Sequence, residues 1–277
     1  MVSEVVVIIG AGGIGQAIAR RQGNGKTVLL ADANPHMLAD AAMQLEEAGY
    51  SVATRPCDVT DRGSVRSLAE TAARLGSVTL VVNTAGVSPN MAAPSRILEV
   101  DLYGVALVFE LFEAVIAPGG SGIVISSMAG HMPDHLPREV ETALAFTPTE
   151  DLLALPCLQA DVVTDSMIAY GLAKRANQLR VQAACLSWGE RGARVNSVSP
   201  GIIVTPLARH ELNSPAGPIY QAMVAASPLR RMASPDEVAA AVAWLAGPEA
   251  GFVTGSDLLI DGGVVAAMRA GRLAPPL

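Results

Sequence analysis

Charge is scarce in this chain. Only 16% of its 277 residues are Asp, Glu, Lys or Arg and 4% are aromatic, so a core must be assembled from Val, Ala, Leu and Ile. Its net charge is −7, and no basic stretch is longer than a pair such as Arg230-Arg231. That excludes nucleic acid as a partner, because the phosphate backbone is bound by dense cationic surface. Cysteine is also sparse. Cys57, Cys157 and Cys185 are odd in number and widely spaced, which fits reduced cytosolic thiols and not a disulfide framework. No run approaches the roughly 18 apolar residues that span a bilayer. The start, MVSEVVVIIGAGG, places an acid where a secretion signal has its basic region. A soluble, cytoplasmic protein without membrane contact is expected. Metal ligands are equally thin. His131 and His135 are four apart, but Pro133 lies between them and no carboxylate or cysteine pattern completes a site, so they read as solvated loop histidines. His36 and His210 stand alone, and no metal is expected.

Short apolar runs at 4–9, 27–31, 51–56, 78–82, 122–126, 194–199 and 257–260 alternate with segments of helical periodicity. The periodicity predicts helices near 14–22, 36–48, 62–75, 94–116, 166–190 and 236–246, with Asn34 capping the second and Pro35 in its first turn. Strand and helix in repeated alternation predict an α/β fold. It is a single-domain, Rossmann-type doubly wound parallel sheet of about seven strands flanked by helices, spanning 1–277. Residues 130–165, rich in Pro, Asp and Glu, are an insertion where a short connection would suffice. Within it, PREVETALAFTPTEDLLAL alternates acids with apolar residues and predicts one or two short amphipathic helices around Pro148. The insertion either roofs a substrate cleft, covers a helix surface of the kind used for oligomerisation, or is a disordered surface loop. Trp188 and Trp244 fall in predicted helices and read as packing residues, and Asp236-Glu237 as first-turn acids.

The first strand runs into GAGGIG. Gly10, Gly12 and Gly15 have the G-x-G-x-x-G spacing, with Gly13 and Ile14 between, that lets a backbone turn sharply and approach a pyrophosphate at a helix N-terminus. The second strand ends in Asp32, near the offset of about 20 residues where an acid binds both ribose hydroxyls of a dinucleotide. Ala33 follows instead of an arginine, so a 2′-phosphate would meet a carboxylate with no cation, and NAD(H) is favoured over NADP(H).

The two lysines are Lys26 and Lys174, and the second lies four residues after Tyr170. With four tyrosines and two lysines in the chain, chance gives such a pair about 3% of the time. Four positions apart on a helix place both side chains on one face. There an ammonium favours the phenolate and brings the tyrosine toward acid–base work near neutral pH. Lysine, a compact charge with rotatable donors, suits this better than arginine's planar fork.

In order along the chain come the glycine turn, Asp58-Val59, NTAG at 83–86, ISS at 125–127, YGLAK at 170–174, SPGIIVTP at 199–206 and TGSDLLIDGG at 254–263. In these motifs, over nearly its whole length, the chain resembles the short-chain dehydrogenase/reductases. The long insertion, WGERGARVN at 188–196, TPL at 205–207 and AAMR at 266–269 resemble the bacterial 3α-hydroxysteroid dehydrogenase/carbonyl reductase subgroup. The resemblance implies Ser127 hydrogen-bonding the substrate oxygen, Tyr170 as general acid/base and Lys174 on the nicotinamide ribose. Ser126 is then a strand-end residue. It also implies Asp58 and Val59 at the adenine, and Asn83, Ala85 and Gly86 along the cofactor, although Asn83 also reads as a turn former. Ile203 and Thr205 would then hold the nicotinamide amide and a phosphate. The activity implied is hydride transfer between NAD(H) and a small secondary alcohol or ketone, in a homo-oligomer such as a dimer or tetramer. A dinucleotide-binding sensor without turnover is the alternative. One departure is Asp101, where the family has asparagine: its carboxylate either faces Lys174, raising the pH at which Tyr170 titrates, or points away to another partner.

Overall fold

The computed structural model describes residues 3–132, 136–206, 208, 212 and 217–273. Strands β1 (Glu4–Ile9), β2 (Thr27–Asp32), β3 (Ser51–Pro56), β4 (Ser77–Asn83), β5 (Ile116–Ile125), β6 (Arg194–Pro200) and β7 (Asp257–Ile260) form one parallel sheet. Their order is β3-β2-β1-β4-β5-β6-β7, so the winding reverses between β1 and β4 and opens a crevice at the strands' carboxyl ends. The central strands β1 and β2 are buried on both faces, which is why they read as unbroken apolar runs. Val5, Val7 and Ile9 enter one core with Leu68, Phe109 and Phe112, while Val6 and Ile8 enter the other with Ile18, Leu38 and Val242.

The helices are α1 (Gly13–Gln22), α2 (Pro35–Glu47), α3 (Arg62–Leu75), α4 (Pro94–Leu98), α5 (Gly104–Glu113), α6 (Arg138–Phe146) and α7 (Ser166–Glu190), followed by Gly217–Ala226, Pro235–Ala246 and Val264–Arg269. Asn34 caps α2 as anticipated, its Oδ1 accepting from the amides of His36 at 3.0 Å and Met37 at 3.2 Å. Glu237 completes a capping box with Ser234. Trp188 is buried and donates its indole N–H to Phe109 O at 3.1 Å, whereas Trp244 is only half-buried, at 45% exposure. The helix expected at 94–116 is broken by a π-helical turn, Glu99–Tyr103, and stops at Glu113. Its predicted end belongs to β5, which is longer than the expected 122–126. Ile116 pairs with Val78, and the register then jumps to Ser121 opposite Leu80, so residues 117–120 bulge out of the ladder, with Gly119 at φ +80°.

The described residues of the insertion, 130–132 and 136–165, are folded onto the body of the protein. Leu144, Ala145, Leu152 and Leu158 pack with Ile97, Leu98 and Leu102 and with Leu172 and Ala176 of α7, all buried. They cover a helix surface and do not roof the cleft: apart from Met132 none of the insertion's described residues lines the cleft below.

Candidate active site

The glycine turn joins β1 to α1 across a narrow gap. Gly10 has φ +103°, and a Cβ there would stand 2.3 Å from Thr84 Oγ1. A Cβ on Gly15 would stand 1.9 Å from the Gly10 carbonyl oxygen. Those two glycines are therefore required by the turn itself. Gly12 is different, because a Cβ there meets nothing within 4 Å, and at Gly13 it would meet only the ordinary contacts of Thr205 Cγ2 at 3.7 Å and Pro235 Cγ at 4.0 Å. An open cradle is left at the start of α1, where main-chain amides face outward without a side-chain cap. Asp32 ends β2 beside it, its oxygens accepting from the amides of Ala11 and Asn34, each at 2.8 Å. Held by two N–H groups, the carboxylate is fixed at the rim of the cradle. The residues present fit a dinucleotide: a backbone cradle for an anionic pyrophosphate, and an acid acceptor for ribose hydroxyls.

Beyond β3, Asp58 closes its own turn, accepting at Oδ1 from the amide and hydroxyl of Thr60 at 2.9 and 2.8 Å. Partial burial pushes its carboxyl up, but the Thr60 donors and Arg96 outweigh this and hold it below the usual value. Val59 is a core side chain, buried and pressed close to Gly104. Asn83 Oδ1 accepts from the Ala85 amide at 3.0 Å, so its side chain does shape the turn after β4, and Ala85 packs on the core. Thr84, which sequence reasoning passed over, donates its hydroxyl toward the carbonyls of Ile9 at 3.0 Å and Gly10 at 3.1 Å. It bolts the β4 turn to the glycine turn.

Ser127, Tyr170 and Lys174 meet in a cleft of about 220 Å³ at the carboxyl ends of β4, β5 and β6, lined also by Ile14, Gly86, Ile203 and Thr205. Asp165 starts α7, accepting from the amides of Met167 at 2.8 Å and Ile168 at 2.9 Å. One helical turn then sets the Lys174 ammonium 5.3 Å from the centre of the Tyr170 ring. Ser127 Oγ accepts from the Ala129 amide at 3.1 Å, which orients the hydroxyl and leaves its hydrogen to donate. Ser126, the strand-end residue, has a structural role: its Oγ donates to the Lys174 carbonyl at 2.8 Å and ties α7 to the end of β5. Ile203 bridges to Ala233, and Thr205 Oγ1 accepts from the Ala208 amide at 3.1 Å.

Asp101 resolves toward Lys174. It lies in the π-helical turn, fully buried, with Oδ2 at 2.9 Å from Lys174 Nζ and Oδ1 accepting from the Val87 amide at 2.8 Å. Burial raises the Asp101 carboxyl above its usual value against the opposing pull of Lys174 and the Val87 amide. Burial alone would lower Lys174, but Asp101 and Tyr170 outweigh it and hold the ammonium above its ordinary value. Both carboxyl oxygens face donors, so the ionised pair is the form that the geometry fits.

His131 is not a solvated loop residue. Its Nε2 lies 2.7 Å from Asp257 Oδ2, and Asp257 Oδ1 accepts from Ser197 at 2.6 Å and Ser199 at 2.8 Å. This pair clamps the turn after Ser127 to β7. His135, His210 and Leu207 lie outside the described residues. Among the described residues no group of three or more His, Cys, Asp or Glu could hold a metal, the three cysteines are unpaired, and no helix is long and apolar enough to cross a membrane.

Two family models match in succession, a short chain dehydrogenase over residues 4–136 and an enoyl-(acyl carrier protein) reductase over residues 135–265. The "Short-chain dehydrogenase/reductase bsc3" of Alternaria brassicicola is 42% identical over 96% of this chain and 97% of its own length. The cis-4-hydroxycyclohexanecarboxylate dehydrogenase of Sinomonas cyclohexanicum is 31% identical over 95% and 97%. The 3-alpha-hydroxysteroid dehydrogenase/carbonyl reductase of Comamonas testosteroni is 29% identical over 81% and 91%. Among solved structures, a variant of actinorhodin polyketide ketoreductase with NADPH superposes with TM-score 0.73 at 26% identity, covering 95% of this chain and 97% of that one. A glycine cradle, a Ser–Tyr–Lys cleft and relatives matched over nearly their whole length agree, and the chain belongs to the short-chain dehydrogenase/reductase family, a family of nicotinamide-dependent oxidoreductases.

Proposed function

We propose that this protein interconverts a secondary alcohol and a ketone with NAD(H). The observation that carries the reading is the convergence of Ser127, Tyr170 and Lys174 on one cleft beside the glycine cradle. Gly12, Gly13 and the start of α1 would hold the pyrophosphate, Asp32 the adenosine ribose, and Lys174 the second ribose. Bound there, NAD supplies the carbon that accepts a hydride. Tyr170 takes the hydroxyl proton of the alcohol as the carbon-bound hydrogen leaves with its electron pair, and returns a proton to the carbonyl oxygen in the reverse direction. Ser127 donates a hydrogen bond to the same oxygen and steadies the charge that develops on it. Lys174, an ammonium next to the ring, lowers the cost of the Tyr170 phenolate.

A screen of secondary alcohols and ketones with NAD(H), followed by absorbance of the reduced nicotinamide, should find turnover that Tyr170→Phe removes while NAD(H) binding persists. Wild-type turnover in the Phe variant would overturn the role of Tyr170. Binding of NAD(H) with no turnover on any alcohol or ketone would leave the sensor reading instead.

A further inference from the structure

Among the described residues of the cleft, the charged side chains are Lys174 and Asp101, and the chemistry above uses only the first. We propose that Asp101 is a positioning residue that binds Lys174 as a neutral ion pair, keeping Tyr170 protonated to higher pH and favouring carbonyl reduction near neutrality. The inference rests on the assignment of Tyr170 as proton donor and acceptor.

The pair is built into the fold. The π-helical turn Glu99–Tyr103 carries Asp101 between α4 and α5, and such one-turn bulges re-aim a side chain that a regular helix would place elsewhere. Its Oδ1 is fixed by the Val87 amide at 2.8 Å and its Oδ2 lies 2.9 Å from Lys174 Nζ. Gly86 closes over both: a Cβ there would stand 3.1 Å from Asp101 Oδ2 and 3.4 Å from Lys174 Nζ. Gly86 thus packs directly against the pair, and the side chains of Lys174 and Asp101 are only 5% and 0% exposed. With so little water, the charges are weakly screened.

A lone ammonium stabilises a nearby phenolate as a point charge. An ammonium with a carboxylate directly behind it acts as a dipole, whose field falls off faster with distance, so less of the stabilisation reaches the Tyr170 oxygen. Tyr220 lines the same cleft from helix Gly217–Ala226, His131 is turned to Asp257 on β7, and Glu141 of α6 is turned to Arg175 on α7. Reduction requires the Tyr170 hydroxyl, which gives its proton to the carbonyl oxygen as that carbon receives the hydride. Oxidation requires the phenolate. Raising the pH of the changeover widens the range in which the reductive form is the populated one.

Direct titration of Tyr170 tests this without a substrate. Ultraviolet difference spectra at the phenolate band, with the Tyr170→Phe protein subtracting Tyr50, Tyr103 and Tyr220, give its midpoint in the full-length chain. Asp101→Asn, whose amide oxygen still accepts from Val87, should move that midpoint down by about one pH unit, a roughly tenfold larger phenolate fraction below it. Asp101→Ser removes the same charge in a smaller volume and should move it the same way, which keeps the test open if either variant folds poorly. Unmoved midpoints in folded variants would overturn the proposal. That outcome with an inactive Tyr170→Phe would leave the alcohol–ketone reading standing, whereas turnover in Tyr170→Phe would remove both.

Discussion

Gly15→Ala sets two effects against each other. Gly15 is inside α1, where alanine is the better helix former by about 1 kcal/mol. A methyl there would stand 1.9 Å from the Gly10 carbonyl oxygen, far inside contact distance, and the atom it meets is backbone. Main chain cannot rotate away as a side chain does, so α1 and the end of β1 must separate, at a cost in the upper part of the ~1–3 kcal/mol range for overpacking or beyond it. The clash wins by about 1–2 kcal/mol, and Tm should fall by a few degrees. Gly12→Ala is the matched control. Its φ of −71° and ψ of −178° suit any residue, and nothing lies within 4 Å of the added carbon. Its Tm should stay within the change expected of a neutral substitution, about 0.5 kcal/mol. The new methyl would occupy the cradle, however, and NAD(H) should bind at least about tenfold more weakly, a loss of roughly 1.4 kcal/mol. Thermal melts and fluorescence titration of NAD(H) measure both variants. A Gly15→Ala protein as stable as wild type, or a Gly12→Ala protein with undiminished NAD(H) affinity, would refute the division of labour within the turn.

NAD(H) should bind about ten- to a hundredfold more tightly than NADP(H), because Asp32 is fixed as a carboxylate at the cradle's rim and is followed by Ala33, not by a cation; parallel titrations of both cofactors check this, and Asp32→Ser should narrow the ratio. Leu144 is fully buried beneath the insertion, so Leu144→Ala should cost about 2–5 kcal/mol in chemical denaturation, while an unchanged midpoint would mean that α6 does not pack as described. Deleting 138–160 should bare Ile97, Leu102 and Leu172 and raise the molar mass seen by sedimentation, through self-association of that face. Glu237, hydrogen-bonded by Arg231 and by the Ser234 amide, titrates at about 2, below its ordinary 4.5. Its contribution is therefore complete above pH about 4.5 and drains away as the pH falls toward 2, so the Tm gap between wild type and Glu237→Gln should hold constant from pH 5 to 8 and close in acid. High salt should shrink that gap at every pH, since the pair is exposed.

The sequence by itself determined the sheet and the site's outline. Strands covered on both faces must be apolar at every position, and EVVVII and TVLLA announce that need without any partner being known. The glycine spacing and the four-residue step from Tyr170 to Lys174 are equally local: one is a demand on a single turn, the other on a single helix face. Tertiary structure decided the rest, because it depends on which atoms meet across long separations. Asp101 finds Lys174 only once the π-helical turn has redirected it, His131 finds Asp257 126 positions away, and the ten-residue β5 starts inside a stretch that reads as helix because Ile116 pairs with β4. Likewise the amphipathic pattern of the insertion announced helices with one apolar side, but periodicity specifies a face and not its partner. That partner was settled by the bare surface of α4, α5 and α7, which α6 and the turns after it bury.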